Sequence, residues 1–194
     1  MKNIKIIGIF IGLGLFACSV HLEGAQVRSR LIVKYAQCQP SEPTFKELYG
    51  PQRGFGGELS VGISTFVDFW IGGMYCNYKS DPALMTTGPA VQLIPIETGL
   101  KLKFPIKIFT PYVGGGLVYT QYIQNKGADE LRASGLGYCG QAGLVFPSCS
   151  GAACSTSLFV IDIFVNYSVC RIETEDINLN TGGLKLGIGW GLSF

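Results

Sequence analysis

Apolar and polar residues alternate along several segments of this chain, and this alternation restricts its fold more than any other feature. The final segment is the clearest case. One face carries Leu184, Leu186, Ile188, Trp190, Leu192 and Phe194, and the other carries Gly183, Lys185, Gly187, Gly189, Gly191 and Ser193. A period of two residues is typical of a β-strand with one apolar face, because successive side chains point to opposite sides of the strand.

The same pattern recurs upstream. Clear alternation covers residues 28–36, 55–63, 90–104 and 158–170, and residues 67–79, 111–124 and 135–146 alternate less regularly. Most of these segments approach the ~10 residues that a tilted strand needs to cross a bilayer. The sequence therefore predicts an all-β fold of about eight antiparallel, up-and-down strands.

Composition supports a single β-rich domain and excludes one class of partner. Charged residues make up 14% of the 194 residues, against roughly 25% in an ordinary soluble domain. The 27 glycines argue against a helical bundle, because glycine is a poor helix former. Since the net charge is only +2 and no basic run is interleaved with aromatic residues, we expect no nucleic-acid partner.

The N-terminal segment has the features of an export signal. Lys2 and Lys5 precede an apolar stretch over residues 6–17. This stretch is too short for a comfortable membrane-spanning helix. The small residues Ala17 and Ser19 then offer a cleavage site.

These features predict a signal peptide over residues 1–25, cleaved between residues 17 and 25, and a barrel domain over residues 26–194. Two alternatives stay open. Residues 15–18 resemble a lipobox, which would make Cys18 a lipidated residue, or the segment could remain as an uncleaved anchor helix. Export would carry the cysteines into a compartment where disulfides form.

The connections between the predicted strands alternate in length. Long connections cover residues 37–54, 80–89, 125–134 and 174–182, and short ones lie near residues 64–65 and 105–109. Long loops on one rim and short turns on the other are typical of membrane barrels, with both termini on the short-turn side. The residue pattern of the first long loop also predicts one helical turn. Thr44 would be its N-cap, Glu47 would complete a capping box and Gly50 would end the helix.

Alternation alone does not show whether the apolar face points into a core or out to lipid, and the aromatic residues favour lipid. If the chain starts at the short-turn rim, one aromatic group lies near that rim and a second lies near the long-loop rim. The first group is Phe69, Phe104, Phe146, Phe159 and Phe194, and the second is Tyr35, Phe55, Tyr75, Tyr119, Tyr138 and Tyr167. Two aromatic bands separated by aliphatic residues are the girdles of a membrane barrel. Glycine on the polar face fits the same orientation, because strand glycines would leave a soluble surface poorly shielded.

Two segments carry a resemblance to a known family. The segment Pro111-Tyr112-Val113-Gly114-Gly115-Gly116-Leu117 resembles the recurrent PYVGxGxG fifth strand of the eight-stranded OmpA/OmpX/OmpW-type outer-membrane barrels, and residues 182–194 resemble their closing strand. The resemblance covers most of the chain after about residue 28. It implies a transmembrane β-barrel in a bacterial outer membrane, with periplasmic N- and C-termini. It also implies contact with outer-membrane lipid and with the barrel-assembly machinery, through the C-terminal strand ending in Phe194, and we expect a monomer.

Charged residues on the polar face form a candidate lumen network. Its members are Arg30, Lys34, Glu58, Asp68, Glu97, Lys101, Asp162 and Lys185, with Arg28 and Lys103 on the same face. Burial of unpaired charge is costly, so the mixed signs predict ion pairs in a narrow interior. The favoured interpretation is a salt-bridged and largely closed lumen, because eight strands leave an interior that side chains just fill. An ion-selective or gated pore is the alternative.

The cysteines supply one candidate disulfide. Cys149 and Cys154 bracket a short turn, where a disulfide or free thiols are favoured over two metal thiolates because no histidine lies nearby. Four further cysteines fall on the inward face toward the long-loop rim, namely Cys38, Cys76, Cys139 and Cys170. They could pair across the barrel mouth or be small unreactive core residues, and both interpretations stay open.

The sequence predicts neither an enzyme nor a cofactor. The only histidine, His21, lies at the edge of the signal region, so the strands and loops offer no imidazole base for Ser-His or Cys-His chemistry. We therefore expect a structural or surface-interaction role for an integral outer-membrane barrel. A narrow porin-like channel, or a conduit for small and even apolar solutes as in OmpW-like barrels, is the first alternative. A soluble periplasmic ligand-binding barrel is the second.

Overall fold

The computed structural model describes residues 28–78, 90–106, 108–126, 129–147, 159–174 and 177–194, which form nine strands and one short helix. The strands are β1 (Ser29–Pro40), β2 (Gln52–Gly62), β3 (Val67–Tyr78), β4 (Ala90–Lys103), β5 (Thr110–Lys126), β6 (Asp129–Pro147), β7 (Phe159–Thr174), β8 (Ile177–Asn180) and β9 (Gly183–Ser193), and the helix is α1 (Pro43–Tyr49). The predicted signal peptide lies outside the described residues.

The strands close into a ring. Each pairs antiparallel with the next from β1 to β7, and β9 pairs with both β7 and β1. At the seam, the Ser29 amide donates to the Phe194 carbonyl at 2.8 Å, and the Phe194 amide donates to the Ser29 carbonyl at 2.9 Å. Among the described strands, β8 pairs with the end of β7 alone and lies outside the ring. The prediction of an eight-stranded, antiparallel, up-and-down barrel is confirmed.

Several strands run further toward the long-loop rim than the sequence pattern suggests. β5 and β6 form the longest hairpin, whose ladder runs from Thr110 opposite Val145 to Lys126 opposite Asp129. β6 begins six residues before the predicted segment, and β7 continues four residues beyond its own. Alternation could not show these extensions, because a backbone ladder continues wherever two chains stay paired, whether or not one face is apolar.

The helix in the first long loop is present, but its predicted N-terminus is wrong. Thr44 is not the cap, because the helix begins at Pro43 and Glu42 occupies the N-cap position without a side-chain capping bond. Proline suits the first helical position, since its fixed φ is already helical and its missing N–H is not needed there. The predicted end at Gly50 is confirmed, with φ +60° at that residue and its amide donating to the Lys46 carbonyl at 2.8 Å.

The distribution of apolar and charged side chains is the reverse of that in a water-soluble barrel, because apolar side chains lie outside and charged ones lie in the lumen. On β1, Leu31 and Val33 are each 51% exposed on the exterior, whereas Lys34 is 6% exposed. Asp68 on β3 is fully buried in the lumen. In the part of the chain that the structure describes, no helix has the length and apolar character needed to span a membrane.

Candidate functional site

The lumen brings together charged side chains from six of the strands, because the period of two points all of them inward. All eight residues of the sequence-derived network are buried there, together with Lys103 in the same set of ion pairs. Arg28 is placed differently from the sequence expectation. It is exposed at the short-turn rim. Because it precedes β1, the alternation of side chains along that strand does not direct it into the lumen.

Asp68 is the centre of the ion pairs nearest the short-turn rim. Its carboxylate accepts a hydrogen bond from the Arg30 guanidinium and forms a second ion pair with the Lys103 ammonium. The three residues lie on β3, β1 and β4. This pairing compensates a carboxylate that has no exposure to solvent.

Glu58 is the centre of the middle cluster. Its Oε2 accepts a hydrogen bond from Lys34 Nζ at 2.7 Å, and its Oε1 accepts one from Lys101 and another from the Ser60 hydroxyl at 2.9 Å. Lys34 also lies 3.5 Å from the Asp162 carboxylate. Two buried lysines therefore share two buried carboxylates, which is the pairing that a dry interior requires.

Aromatic side chains complete this middle cluster. The Tyr112 hydroxyl donates to Asp162 at 3.0 Å. The Lys34 ammonium lies 4.2 Å from the centroid of the Phe164 ring, and Lys101 lies 4.7 Å from that of Tyr112. Sequence reasoning did not include Tyr112 or Phe164 in the network. The alternation of their strands could have identified both, because it places them on the inward face. Phe164 is an apolar exception on the polar face of its strand.

Glu97 is the centre of the cluster toward the long-loop rim. Its Oε1 accepts a hydrogen bond from Lys185, and its Oε2 accepts one from the Asn166 amide at 2.9 Å. Lys185 and Glu97 belong to strands β9 and β4 on different sides of the ring, so this ion pair crosses the lumen. Asn166 was also absent from the predicted network.

Two small cavities lie in the described part of the lumen. One cavity of about 20 Å³ lies in the middle and is lined by Glu58, Gln141 and Asn166, and another of about 20 Å³ lies toward the long-loop rim beside Cys38 and Cys76. A cavity of this size has room for about one water molecule. Both amide atoms of Gln141 lack a protein partner, so a water in the middle cavity would satisfy them.

The helix α1 packs over the long-loop end of the lumen. Phe45 lies with its ring centroid 4.6 Å from that of Tyr49 and 5.1 Å from that of Tyr78. All three belong to one buried cluster with Val91 and Leu93 on β4. Burial in this cluster raises the pKa of Tyr49 above its ordinary value. These side chains therefore cover the part of the mouth between α1, the end of β3 and the start of β4.

The predicted girdle residues lie on the outside of the barrel. Exposed near the short-turn rim are Phe69, Phe104, Phe159 and Phe194, and exposed further along the strands are Tyr35, Phe55, Tyr119, Tyr138 and Tyr167. Tyr75 and Phe146 are partly covered by neighbouring rings, with centroids 5.5 Å from Phe55 and 5.9 Å from Phe109. Trp190, which the predicted girdles omitted, is also exposed on the exterior.

The cysteine predictions divide into two groups. Cys149 and Cys154 lie outside the described residues. The structure buries the other four, Cys38, Cys76, Cys139 and Cys170. Within the described ranges, no group of three or more His, Cys, Asp or Glu side chains is arranged to hold a metal ion.

Comparisons with known proteins connect this geometry to a fold. No protein-family model and no curated protein matches the sequence. Solved structures do match. Neisserial surface protein A has a TM-score of 0.59 at 18% identity and covers 89% of this chain and 100% of its own.

Two further barrels match to a similar extent. The outer membrane protein OprG from Pseudomonas aeruginosa has a TM-score of 0.58 at 14% identity, covering 90% of this chain and 99% of its own. Ail, the attachment invasion locus protein of Yersinia pestis, has a TM-score of 0.57 at 16% identity, covering 87% and 99%. The chain thus has the fold of the small eight-stranded outer-membrane β-barrels, as its sequence resemblance implies.

Proposed function

We propose that this chain is an integral β-barrel protein of a bacterial outer membrane, with a closed lumen and a structural or surface-interaction role. One observation carries the proposal. The interior holds paired Lys, Arg, Asp and Glu side chains, while the exterior exposes large apolar ones. A soluble ligand-binding barrel would have the opposite arrangement, with its apolar face lining a cavity.

The exposed apolar surface is too extensive for a monomer in water. Among the residues that the structure describes, thirty large apolar side chains are exposed, and those on the strands follow one another around the ring. Continuous apolar patches of this extent mark contact with lipid or with other proteins, or lead to aggregation. A bilayer solvates the surface without any further partner.

The aromatic bands support the same environment. On β7, Phe159 and Tyr167 are both exposed and lie eight residues apart. At ~3.3 Å per residue and a tilt of ~40°, this separation is roughly 20 Å along the barrel axis, close to the ~25 Å apolar band of outer-membrane barrels. The rings would then lie at the two membrane interfaces and contact outer-membrane lipid.

The packed lumen supports a structural role over transport. Three clusters of ion pairs occupy successive levels of the interior, and α1 covers its long-loop end. The two cavities of about 20 Å³ each hold about one water and leave little room for a solute. A narrow channel is the rival function, and it requires these ion pairs to separate. We propose no enzymatic activity, since the barrel strands contain no histidine.

The two rims of the barrel would have different tasks. The start of β1, the end of β9 and the short turns after β2 and β4 lie on one rim, which we assign to the periplasm. We assign the C-terminal strand ending in Phe194 to recognition by the barrel-assembly machinery, since its aromatic side chain is exposed beside the seam. The opposite rim carries α1 and the long β5–β6 hairpin, and would contact surface partners. Ail, one of the matching barrels, is named for attachment and invasion.

Four measurements test the proposal on the full chain expressed in a Gram-negative host. We expect the protein in the outer-membrane fraction, monomeric after detergent extraction, with a faster gel migration before heating than after it. In planar bilayers we expect no steady conductance. Steady openings would favour the narrow channel, and recovery from the periplasm without detergent would refute membrane insertion.

A further inference from the structure

Two cysteines from strands that are not neighbours meet inside the barrel. Cys38 on β1 and Cys76 on β3 both point into the lumen, and β2 lies between their strands. Their Sγ atoms are 2.8 Å apart. Each residue is 2% exposed, and both line the small cavity toward the long-loop rim. A disulfide places its sulfurs about 2.05 Å apart, so the two atoms must approach by about 0.8 Å. It also requires Cα atoms within ~7 Å, so β1 and β3 must lie closer across β2 than two flat ladder spacings of ~4.8 Å.

A glycine on the intervening strand allows this contact. Gly54 of β2 lies directly opposite Cys76 of β3, and Cys38 is two residues beyond the β1 partner of Gly54. A Cβ at Gly54 would lie 2.8 Å from both sulfur atoms, so any side chain there would occupy the space where the thiols meet. The thioether sulfur of Met74 borders the same space, 3.7 Å from Cys38 Sγ.

We propose that Cys38 and Cys76 form a disulfide that ties β1 to β3 across β2 at the long-loop end of the lumen. The proposal rests in part on the proposed function, because export to the outer membrane exposes the chain to an oxidising compartment. Each thiol loses one proton, and the pair gives up two electrons as the S–S bond forms. The acceptor is the disulfide of a thiol oxidoreductase in that compartment, which is reduced to a dithiol.

The disulfide would stabilise the position of α1 over the lumen. The chain between the two cysteines contains α1 and β2, so the disulfide closes a covalent loop that includes the helix packed over the mouth. Tyr78, two residues beyond Cys76, contacts Phe45 of that helix. A link at Cys76 therefore holds the surface on which α1 rests. Because both thiols are buried in the folded barrel, we expect the bond to form before the mouth closes.

Cys139 provides a matched control. It is also buried and inward-facing, but its thiol points to the Leu117 carbonyl at 3.6 Å. Replacing it with serine should leave the proposed disulfide intact. Replacing Cys38 with serine should free the Cys76 thiol.

The test compares full-length wild type, Cys38→Ser and Cys139→Ser, isolated from outer membranes under acid quench and denatured with a maleimide present. Peptide mapping should recover a linked Cys38–Cys76 peptide from most wild-type and Cys139→Ser molecules. In Cys38→Ser the linked peptide should be lost and Cys76 labelled. Labelling of both cysteines in wild type without reductant, or linkage of Cys38 to another cysteine, would overturn the proposal.

A second arm separates this proposal from membrane location. The full chain is reduced, folded in detergent micelles and treated with oxidised glutathione during folding, with heat-dependent gel migration as the measure of barrel formation. Formation of the linked peptide in the folded fraction supports the geometry. A folded barrel with both thiols still free refutes the disulfide alone, whereas recovery of cellular protein outside the outer membrane refutes the proposed function.

Discussion

Ile163 offers a direct measure of what surrounds the barrel. It lies on the exterior of β7, 50% exposed, four positions after Phe159 and four positions before Tyr167. Its neighbours across the two adjacent ladders are Leu144 and Ile188. This position is therefore midway between the two aromatic bands, and replacing it with arginine introduces a charge at the centre of the proposed apolar belt.

The expected loss of stability depends on how deep the arginine lies in the bilayer. Four residues at ~3.3 Å with a tilt of ~40° place Ile163 about 10 Å from either band along the barrel axis. An arginine at the midplane of a membrane barrel costs ~2–4 kcal/mol, and one near the interface costs ~0–1 kcal/mol. Val169 is the matched control, because it lies on the same face of the same strand, beyond Tyr167, and is 42% exposed.

The assay is urea unfolding of the full chain in phosphatidylcholine vesicles, followed by tryptophan fluorescence and by gel migration without heating. We expect Ile163→Arg to lose about 2–3 kcal/mol more than Val169→Arg, which is roughly a 30-fold to 150-fold difference in the folding equilibrium. Equal stability of the two variants would refute the assignment of the exterior to lipid. Stable, detergent-free Ile163→Arg protein would do the same.

Three further predictions concern the lumen, the wall and the mouth. Glu58→Gln leaves two buried lysines without their shared carboxylate, so the free energy of unfolding in micelles should fall by ~3–5 kcal/mol, and an unchanged urea midpoint would argue against a buried network. Gly116→Ala should block assembly, scored by heat-dependent gel migration, because its Cβ would lie 2.7 Å from a backbone carbon of β4, whereas Gly115→Ala, with its nearest contact at 3.7 Å, should assemble normally. Phe45→Ala removes the ring that packs α1 on the mouth, so trypsin should cleave the assembled barrel faster after the exposed Lys46; cleavage at the wild-type rate would show that α1 is held by other contacts.

The strands and their facing were predictable because both are local properties of an extended chain. Residues 184–194 alternate without interruption, and the structure exposes one set of side chains and turns Lys185 into the lumen. The strand ends were less predictable, since β6 extends as a paired ladder into residues 129–134, where apolar and polar residues no longer alternate in the sequence. The helix start was misread because Thr44 fits a capping pattern that Pro43 pre-empts.

The residues of the lumen network were predictable as a set, but their partners were not. The sequence placed acids and bases on one face, yet nothing local says that Glu97 contacts Lys185, which is 88 positions away. Tyr112, Asn166 and Phe164 were missed for a related reason, because an uncharged side chain joins an ion-pair network only when a neighbouring strand brings a charge to it.

The sequence by itself determined that this protein forms β-strands with one apolar face and one polar face, because the period of two is a property of each strand alone. The tertiary structure decided the rest, namely which strands adjoin at the seam, which ammonium meets which carboxylate, and that Cys38 and Cys76 touch across Gly54. The physical reason is that side chains on different strands acquire neighbours only through ladder register and closure of the ring. Both depend on all eight strands together and on no single segment.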